Sequence, residues 1–343
     1  MWELLQENTA LQTIEQTATT KTMLQGVVFR KSLGRYDVHA GDETVACSVS
    51  SKLHKHLLYP TADAGSLHPR VVAVMDIQEQ DPIAIGDRVH FLPAGDRIGM
   101  IMEVMPRSSV LSRRAAGAKP LEQIMAVNAG WIVPVIAAAR PAPSWELLDR
   151  YLAAAEQAEV PACIAITKMD LVDRNAFEAE LSVYRRAGYR VIATSAETGA
   201  GIEELRALLS GQISVLTGKS GVGKTSLLNA VQPGLGLRVG EVGRATNKGK
   251  HTTTHLEMFP LHGGGSIVDT PGMREFGLWN VHAGEVASLF PELRPLVGTC
   301  RFGMGCSHRH EPSCAIRAAV EQGIIPLRRY KSALSLAESL PES

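Results

Sequence analysis

Gly218 to Thr225 read GKSGVGKT and fit the pattern G-x-x-x-x-G-K-[ST] in full. Residue types at this spacing suit one kind of chemistry. The glycines let successive backbone N–H groups turn inward and ring a phosphate. A helix starting just beyond adds its own free N–H groups and its positive dipole end. Lys224 is placed to reach the β- and γ-phosphates, and Thr225 to hold Mg²⁺. The expected phosphate-contacting run is Gly218, Lys219, Ser220, Gly221, Val222, Gly223, Lys224, Thr225 and Ser226. Its flanks have the required context: Ile213–Leu216 reads as a short buried strand and Ser226–Val231 as a helix start. The competing reading is a chance glycine-rich turn. The motif alone does not separate ATP from GTP.

Three other stretches lie at expected strand ends. Thr167-Lys168-Met169-Asp170 follows Cys163–Ile166. A carboxylate there accepts from the N1–H and the exocyclic amino group of guanine together, and adenine offers no such donor pair. Asp170 is therefore the expected base selector, which makes GTP and GDP the expected ligands. The stem of Lys168 covers the base. The usual tetrad begins with Asn, and Thr167 in its place lacks the amide, so weaker base affinity is expected. Thr194-Ser195-Ala196 ends the next strand, and the N–H groups of Ser195 and Ala196 suit the guanine O6. Each stretch alone is weak, since a lone Lys-x-Asp is usually a surface loop. Asp269-Thr270-Pro271-Gly272 ends the strand Ser266–Val268; Asp269 would hold Mg²⁺ through water and the Gly272 N–H would touch the γ-phosphate. Upstream, His251-Thr252-Thr253-Thr254-His255 sits in a glycine-rich basic loop, where Thr253 is the expected Mg²⁺ ligand when a γ-phosphate is present. Met273 follows Gly272, where many GTPases place Gln, and cannot orient water. The expected catalytic set is thus Lys224, Thr253 and His251, the last as the side chain contacting the attacking water. The competing reading of His251 is a solvent-facing loop histidine. Gly221 stands where some GTPases carry a potassium-binding Asn, so potassium activation is not expected.

A further cluster lies near the C-terminus. Cys300, Cys306, His308 and Cys314 have the spacing C-x₅-C-x-H-x₅-C. Three thiolates and one imidazole make a closed tetrahedral zinc site of the structural kind. His310 is a rival fourth ligand, and reduced cysteines beside a surface histidine are the bland alternative. Cys47 and Cys163 fall in strand patterns and read as core thiols.

These residues need elements to position them. The 343 residues suffice for two or three domains, and 45% hydrophobic with 20% charged residues predicts a packed chain. A net charge of +0 argues against a generic nucleic-acid coat, so any RNA contact is local. The apolar run Trp131–Ala139 is too short to span a bilayer. No signal peptide is visible in MWELLQENTALQTIEQ, so a cytoplasmic chain with reduced thiols is expected. Residues 1–21 read as an extension without chemistry. Residues 22–112 carry short runs broken by Gly, Pro and Asp: Gly26–Arg30, Tyr36–His39, Thr44–Cys47, Val71–Val74, Arg88–Phe91 and Ile98–Val104. Such spacing predicts a small OB-type β-barrel, with an SH3-like barrel or a sandwich as the alternative. Arg107–Arg114 reads as a basic linker, its arginines either solvated or in contact with phosphate. From 123 to about 276 strands alternate with helices: Trp131–Ala138, Trp145–Gln157 capped by Ser144, Cys163–Ile166, Asn175–Ala187 with an Asn175/Glu178 capping box, Val191–Ala193 and Ile202–Leu209. That alternation implies a doubly wound sheet with ligands at the strands' carboxyl ends.

The guanine-nucleotide elements stand in an unusual order: base-reading loops first, then the phosphate loop, then the two switch elements. In this order the chain resembles the circularly permuted ribosome-assembly GTPases. The barrel before and cysteine cluster after narrow the resemblance, over about residues 22–335, to the ribosome small-subunit-dependent GTPase A (RsgA) family. Two departures are Thr167 for Asn and one extra residue between Cys300 and Cys306, which would make Gly303 or Gly305 loop out. The resemblance implies a multidomain chain: an OB-fold barrel (22–112), a circularly permuted α/β P-loop GTPase domain (113–284) and a mostly helical zinc-binding module (285–343). It implies a GTP hydrolase that acts at a late checkpoint in small-subunit maturation, whose GTP form binds the small ribosomal subunit and whose turnover the subunit's rRNA stimulates. A monomer without membrane contact is expected. Arg238, Arg244, Lys248 and Lys250 in switch I would face RNA with the barrel and zinc module, as would Arg317, Arg328, Arg329 and Lys331, which otherwise read as solvated helix faces. A scaffold with a structural nucleotide site and a GTP-driven metallochaperone are rival readings. Intact Lys224, Thr225 and Asp269 argue against the first, and a closed ligand set against the second.

Overall fold

The structure is a computed structural model and describes residues 22–32, 34–51, 53, 83–114, 122–235, 257–269 and 278–340. The strand expected at Val71–Val74 and the extension 1–21 lie outside the described residues, as do His251, Thr253, Gly272, Met273 and the basic residues of switch I.

Five strands build the barrel: β1 (Leu24–Ser32), β2 (Arg35–Ala40), β3 (Glu43–Val49), β4 (Arg88–Gly95) and β5 (Ile98–Val104). Alternation turns Val28, Val38, Val45, Cys47, Phe91 and Ile101 inward. The pairing order is β1-β2-β3-β5-β4, and β4 pairs back onto β1, so the sheet closes. The pair β3–β5 is parallel. This closed five-strand barrel is the expected OB-type unit.

The arginine-rich stretch after the barrel differs from the linker expected of it. β6 (Val110–Arg114) pairs antiparallel with β7 (Glu122–Val127), and Leu111 is buried. Arg107 is committed to Asp87: Nε donates to Oδ1 at 2.8 Å and Nη2 to Oδ2 at 2.9 Å. Asp87 is fully buried, so its carboxylate requires that cation. Arg107 is therefore neither solvated nor a phosphate contact.

The central unit runs β8 (Trp131–Ala137), α1 (Trp145–Gln157), β9 (Cys163–Thr167), α2 (Arg174–Arg186), β10 (Arg190–Ala193), α3 (Ile202–Leu209), β11 (Ile213–Thr217), α4 (Lys224–Val231), β12 (Glu257–Pro260) and β13 (Ser266–Asp269). The strand order is β10-β9-β8-β11-β13-β12, parallel except for β12. One apolar core joins α1 and α2 to one face, and a second joins α3 and α4 to the other. Strand order reverses at β8, where a doubly wound sheet opens its ligand crevice. A register pair Arg30↔Glu257 links β12 to β1, so the barrel and the central sheet are continuous. Capping differs in detail from the sequence expectation. Ser144 stands at the N-cap of α1 without a side-chain bond. Helix α2 begins one residue early, and Asp173 caps it by accepting from the Asn175 N–H at 3.0 Å. Glu178 instead pairs with Arg185, so the capping box does not form.

Two helices, α5 (Ala315–Glu321) and α6 (Leu327–Glu338), follow a 3₁₀ segment over Ala283–Leu289. Phe290, Leu293, Ala333 and Leu336 share a core with Leu148, Tyr151 and Leu152 of α1. Arg329 is 0% exposed and pairs with Asp149 and Glu292; Arg328 pairs with Glu180 and lies 4.6 Å from the Trp145 ring. The reading of these two arginines as solvated faces or RNA contacts is thereby corrected. They anchor the C-terminal helix to the central unit, a role the flanking sequence does not reveal. Lys331 is exposed, and Arg317 stays half-buried beside Glu321. Among the described residues no helix is long and apolar enough to cross a membrane.

Candidate functional site

The phosphate loop connects β11 to α4, so the start of the helix points into it. Gly218 passes so close to β8 that a Cβ would lie 2.4 Å from the Val135 carbonyl oxygen, backbone that cannot yield. Gly223, at φ +95°, precedes the first residue of α4 in the left-handed region that glycine tolerates. Lys224 folds back over the loop, its Nζ donating to the Gly218 carbonyl at 2.6 Å. Burial pulls its ammonium pKa below the ordinary value, and the Asp269 carboxylate opposes that shift. Asp269 ends β13 in register with Leu216 of β11, so the two Walker-type elements stand on adjacent strands. Thr225, half-buried in the first turn of α4, is the other expected Mg²⁺ ligand that is described. A hydroxyl at the helix start and a carboxylate on the neighbouring strand form an all-oxygen pair of the kind Mg²⁺ takes together with phosphate.

The base-reading loops lie on the other side of β8. Ser195, buried at the end of β10, donates its hydroxyl to Asp170 Oδ1 at 2.6 Å. Asp170 itself is exposed, its carboxylate held in place yet open to a ligand. Lys168 is in the left-handed region at φ +58°, and its Nζ donates to the carbonyls of Gly221, at 2.8 Å, and Arg140. Met169 follows it in the short 3₁₀ turn Met169–Leu171, and Ala196 is exposed beside Ser195. Thr167 is buried, and its hydroxyl donates to the Val222 carbonyl at 2.5 Å. The residue that departs from the usual Asn thus ties the base loop directly to the phosphate loop. Lys219, Ser220 and Gly221 are exposed around the rim. The sequence reading missed the Ser195–Asp170 bond. A serine two residues beyond a strand end was the available signal, but only the parallel pairing of β9 and β10 sets it beside Asp170.

A cavity of about 530 Å³ lies against this site, lined by Gly218–Ser220, by Ser144 at the N-cap of α1 with Leu147 and Tyr151 of that helix, and by Ser332 and Leu336 of α6. The C-terminal helix therefore borders the phosphate loop itself.

Asp170→Asn is expected to weaken GTP binding by about 2 kcal/mol, because one bond to a charged acceptor is lost. Xanthine nucleotides should then compete better, since they carry a carbonyl where guanine has its amino group. Titration calorimetry showing unchanged GTP affinity would remove Asp170 from the base site.

In the C-terminal module, the ligand atoms of Cys300, Cys306, His308 and Cys314 all lie within 4.8 Å of one another, and all four residues are buried. Cys300 Sγ is 3.8 Å from Cys314 Sγ, and His308 Nδ1 is 3.6 Å and 3.5 Å from those two sulfurs. Tetrahedral zinc, with bonds of about 2.3 Å to S and about 2.0–2.1 Å to N, sets S···S near ~3.8 Å and S···N near ~3.5 Å. The separations among Cys300, Cys314 and His308 match that geometry, and Cys306 Sγ lies within 4.8 Å of all three. A single 3₁₀ turn over Gly303–Gly305 takes up the extra residue between Cys300 and Cys306. His310 is exposed and outside the cluster, so His308 is the imidazole that stands beside the three cysteines. Burial raises the thiol pKa of Cys47 to about 11 and of Cys163 to about 12, as core thiols require.

A glycine-rich phosphate loop on one side of the strand-order reversal and the exposed Asp170 carboxylate on the other are the arrangement of a P-loop guanine-nucleotide hydrolase. The comparisons with known proteins agree with that class. Residues 104–279 match the family model described as RsgA GTPase. A protein of Gemmatimonas aurantiaca named Small ribosomal subunit biogenesis GTPase RsgA is 45% identical over 260 residues, covering 75% of this chain and 84% of that one. A protein of the same name from Moorella thermoacetica is 43% identical over 254 residues, covering 74% and 83%. The crystal structure of YjeQ from Thermotoga maritima superposes with a TM-score of 0.70 at 29% identity, covering 93% of this chain and 99% of that one. The structure of YloQ, described as a circularly permuted GTPase, gives a TM-score of 0.65 at 25% identity with 95% and 99% coverage. The chain belongs to the RsgA GTPase family and is a GTP hydrolase with a circularly permuted GTPase domain.

Proposed function

We propose that this GTPase acts in late maturation of the small ribosomal subunit, binding the subunit and its rRNA in the GTP form and leaving after hydrolysis. The observation that carries the reading is identity of 37–45%, over about three quarters of the chain, to proteins named for small-subunit biogenesis. Gly218–Ser226 hold the phosphates, Asp170 with Lys168, Met169, Ser195 and Ala196 reads the base, and Thr167 supports both loops. Asp269 and Gly272 meet the γ-phosphate side. Thr225 and Thr253, and Asp269 through water, would hold Mg²⁺, which would supply positive charge to offset that of the phosphates. Lys224 does the same from the protein side: its Nζ gives up the Gly218 carbonyl for a phosphate oxygen. With Met273 in the glutamine position, intrinsic turnover is slow and the subunit completes the site. The chain works as a cytoplasmic monomer in the units 22–112, 113–284 and 285–343. The barrel, switch I and the zinc module with Lys331 face structured RNA.

Turnover of GTP by the full chain, alone and with purified small or large subunits, tests this. Strong stimulation by small subunits alone is expected; equal rates in all three conditions would overturn the assignment.

The cysteine cluster is proposed to hold one structural Zn²⁺. Folding of the module and formation of the site are then a single equilibrium. Cys306→Ser or Cys314→Ser should unfold the module and weaken subunit binding while GTP affinity stays near that of the parent. Elemental analysis of freshly purified protein that finds no zinc would sink the zinc reading.

A further inference from the structure

Between the second and last cysteines of the cluster, the carboxylate of Glu311 collects four donors. Oε1 accepts from the Ser307 backbone N–H at 2.8 Å and from the Ser307 hydroxyl at 2.5 Å. Oε2 accepts from the N–H groups of Arg309 at 3.0 Å and His310 at 3.2 Å. These donors flank His308 on both sides. His308 sits at φ +62°, in a region costly for a side-chain-bearing residue. Its carbonyl accepts the Tyr330 hydroxyl of α6 at 2.6 Å. Backbone N–H groups turned onto one anion form a nest, and such a nest fixes the conformation of the residues that build it. The loop is thus pinned from within by Glu311 and from α6 by Tyr330, and the pinned geometry turns His308 Nδ1 toward Cys300 and Cys314.

We propose that Glu311 is the positioning residue of the metal site: it presets the left-handed turn at His308, so that the imidazole need not be ordered when metal binds. The proposal rests on the zinc reading above. Outer-shell partners that orient metal ligands typically change metal affinity 10–100-fold when removed. Glu311 is well suited to the task because it touches no sulfur or ring nitrogen itself. Hydrogen bonds from Ser307 and the neighbouring backbone hold its carboxyl well below the usual carboxylate range, so it stays an acceptor at any working pH.

The test uses the full chain and Zn²⁺ or Co²⁺ alone. Zinc affinity is measured by competition with a chromophoric chelator, and ligand geometry by the visible bands of the Co²⁺-substituted protein. GTP binding serves as the control that the GTPase domain is folded. Glu311→Gln is expected to bind zinc roughly 10–100-fold more weakly. Its Co²⁺ spectrum should be altered, because an amide nitrogen now faces the donors. Tyr330→Phe, which removes one hydroxyl, should weaken zinc less and in the same direction. Wild-type zinc affinity and Co²⁺ bands in Glu311→Gln would overturn the positioning role while leaving the zinc site intact. A parent protein that binds neither metal would overturn the zinc reading, and the role of Glu311 with it.

Discussion

Arg329→Met is expected to destabilise the folded chain by roughly 3–5 kcal/mol, the cost of leaving buried carboxylates without their cation. The Arg329 side chain is 1% exposed; its Nη1 lies 2.6 Å from Asp149 Oδ1, and its Nε 2.5 Å from Glu292 Oε1. Asp149 is as deeply buried as its partner, and its Oδ1 also accepts the Tyr184 hydroxyl at 2.9 Å. The guanidinium plane lies 4.5 Å from the Phe290 ring. Methionine keeps the apolar stem, so the loss is one of charge and hydrogen bonds rather than volume. Arg329→Lys keeps the charge without the fork and should fall between the two. Because Asp149 belongs to α1 and Arg329 to α6, the C-terminal helix should detach first. Denaturant unfolding, followed by a probe on α6 and another on the GTPase domain, checks this. A parent-like midpoint on both probes would show the triad to be dispensable. Adding Asp149→Leu should recover part of the loss, since Glu292, 14% exposed, can turn toward water.

His251→Ala is expected to retain GTP affinity and subunit binding while losing most of the subunit-stimulated hydrolysis. A positioned catalytic group is worth roughly 10²-fold to 10⁴-fold. His251 directly precedes the switch threonines, and Met273 offers no group to orient water. Ordering of the switch against RNA would bring His251 to the γ-phosphate. Binding without hydrolysis then traps the variant on the subunit. Lys224→Ala should behave differently, because it removes the ammonium that reaches the phosphates and fails at nucleotide binding. The deciding measurement is single-turnover hydrolysis at saturating small subunit. Equal rates for the parent and His251→Ala would move catalysis to RNA or to the backbone of the switch.

Much of the site was legible as sequence because its chemistry is local. Gly218–Thr225, the Thr167–Asp170 stretch and the run from Cys300 to Cys314 each carry their ligands within fifteen residues or fewer. Turn geometry and side-chain type then determine what they hold. The barrel and the alternating α/β unit were legible for a related reason, since period-2 and period-3.6 patterning report which face a segment buries. The order of the guanine-nucleotide elements was legible too, because order is a property of the chain alone.

What tertiary structure decided are the pairings between distant segments. Arg107 reads as one cation in a basic run, and only the fold sets it against Asp87, 20 residues away. Arg329 reads as a surface charge on α6, yet it meets Asp149 across 180 residues. Asp149 itself lies buried on α1 beside Leu148, Tyr151 and Leu152, and nothing in its local pattern names the partner. That His308 rather than His310 lies beside the three cysteines, and that Thr167 meets Val222, likewise follow from distances only the fold sets. The physical reason is the same in each case. A charge or hydroxyl at a given position is cheap in water and costly when buried, and which distant segment supplies its partner follows from packing that no local pattern encodes.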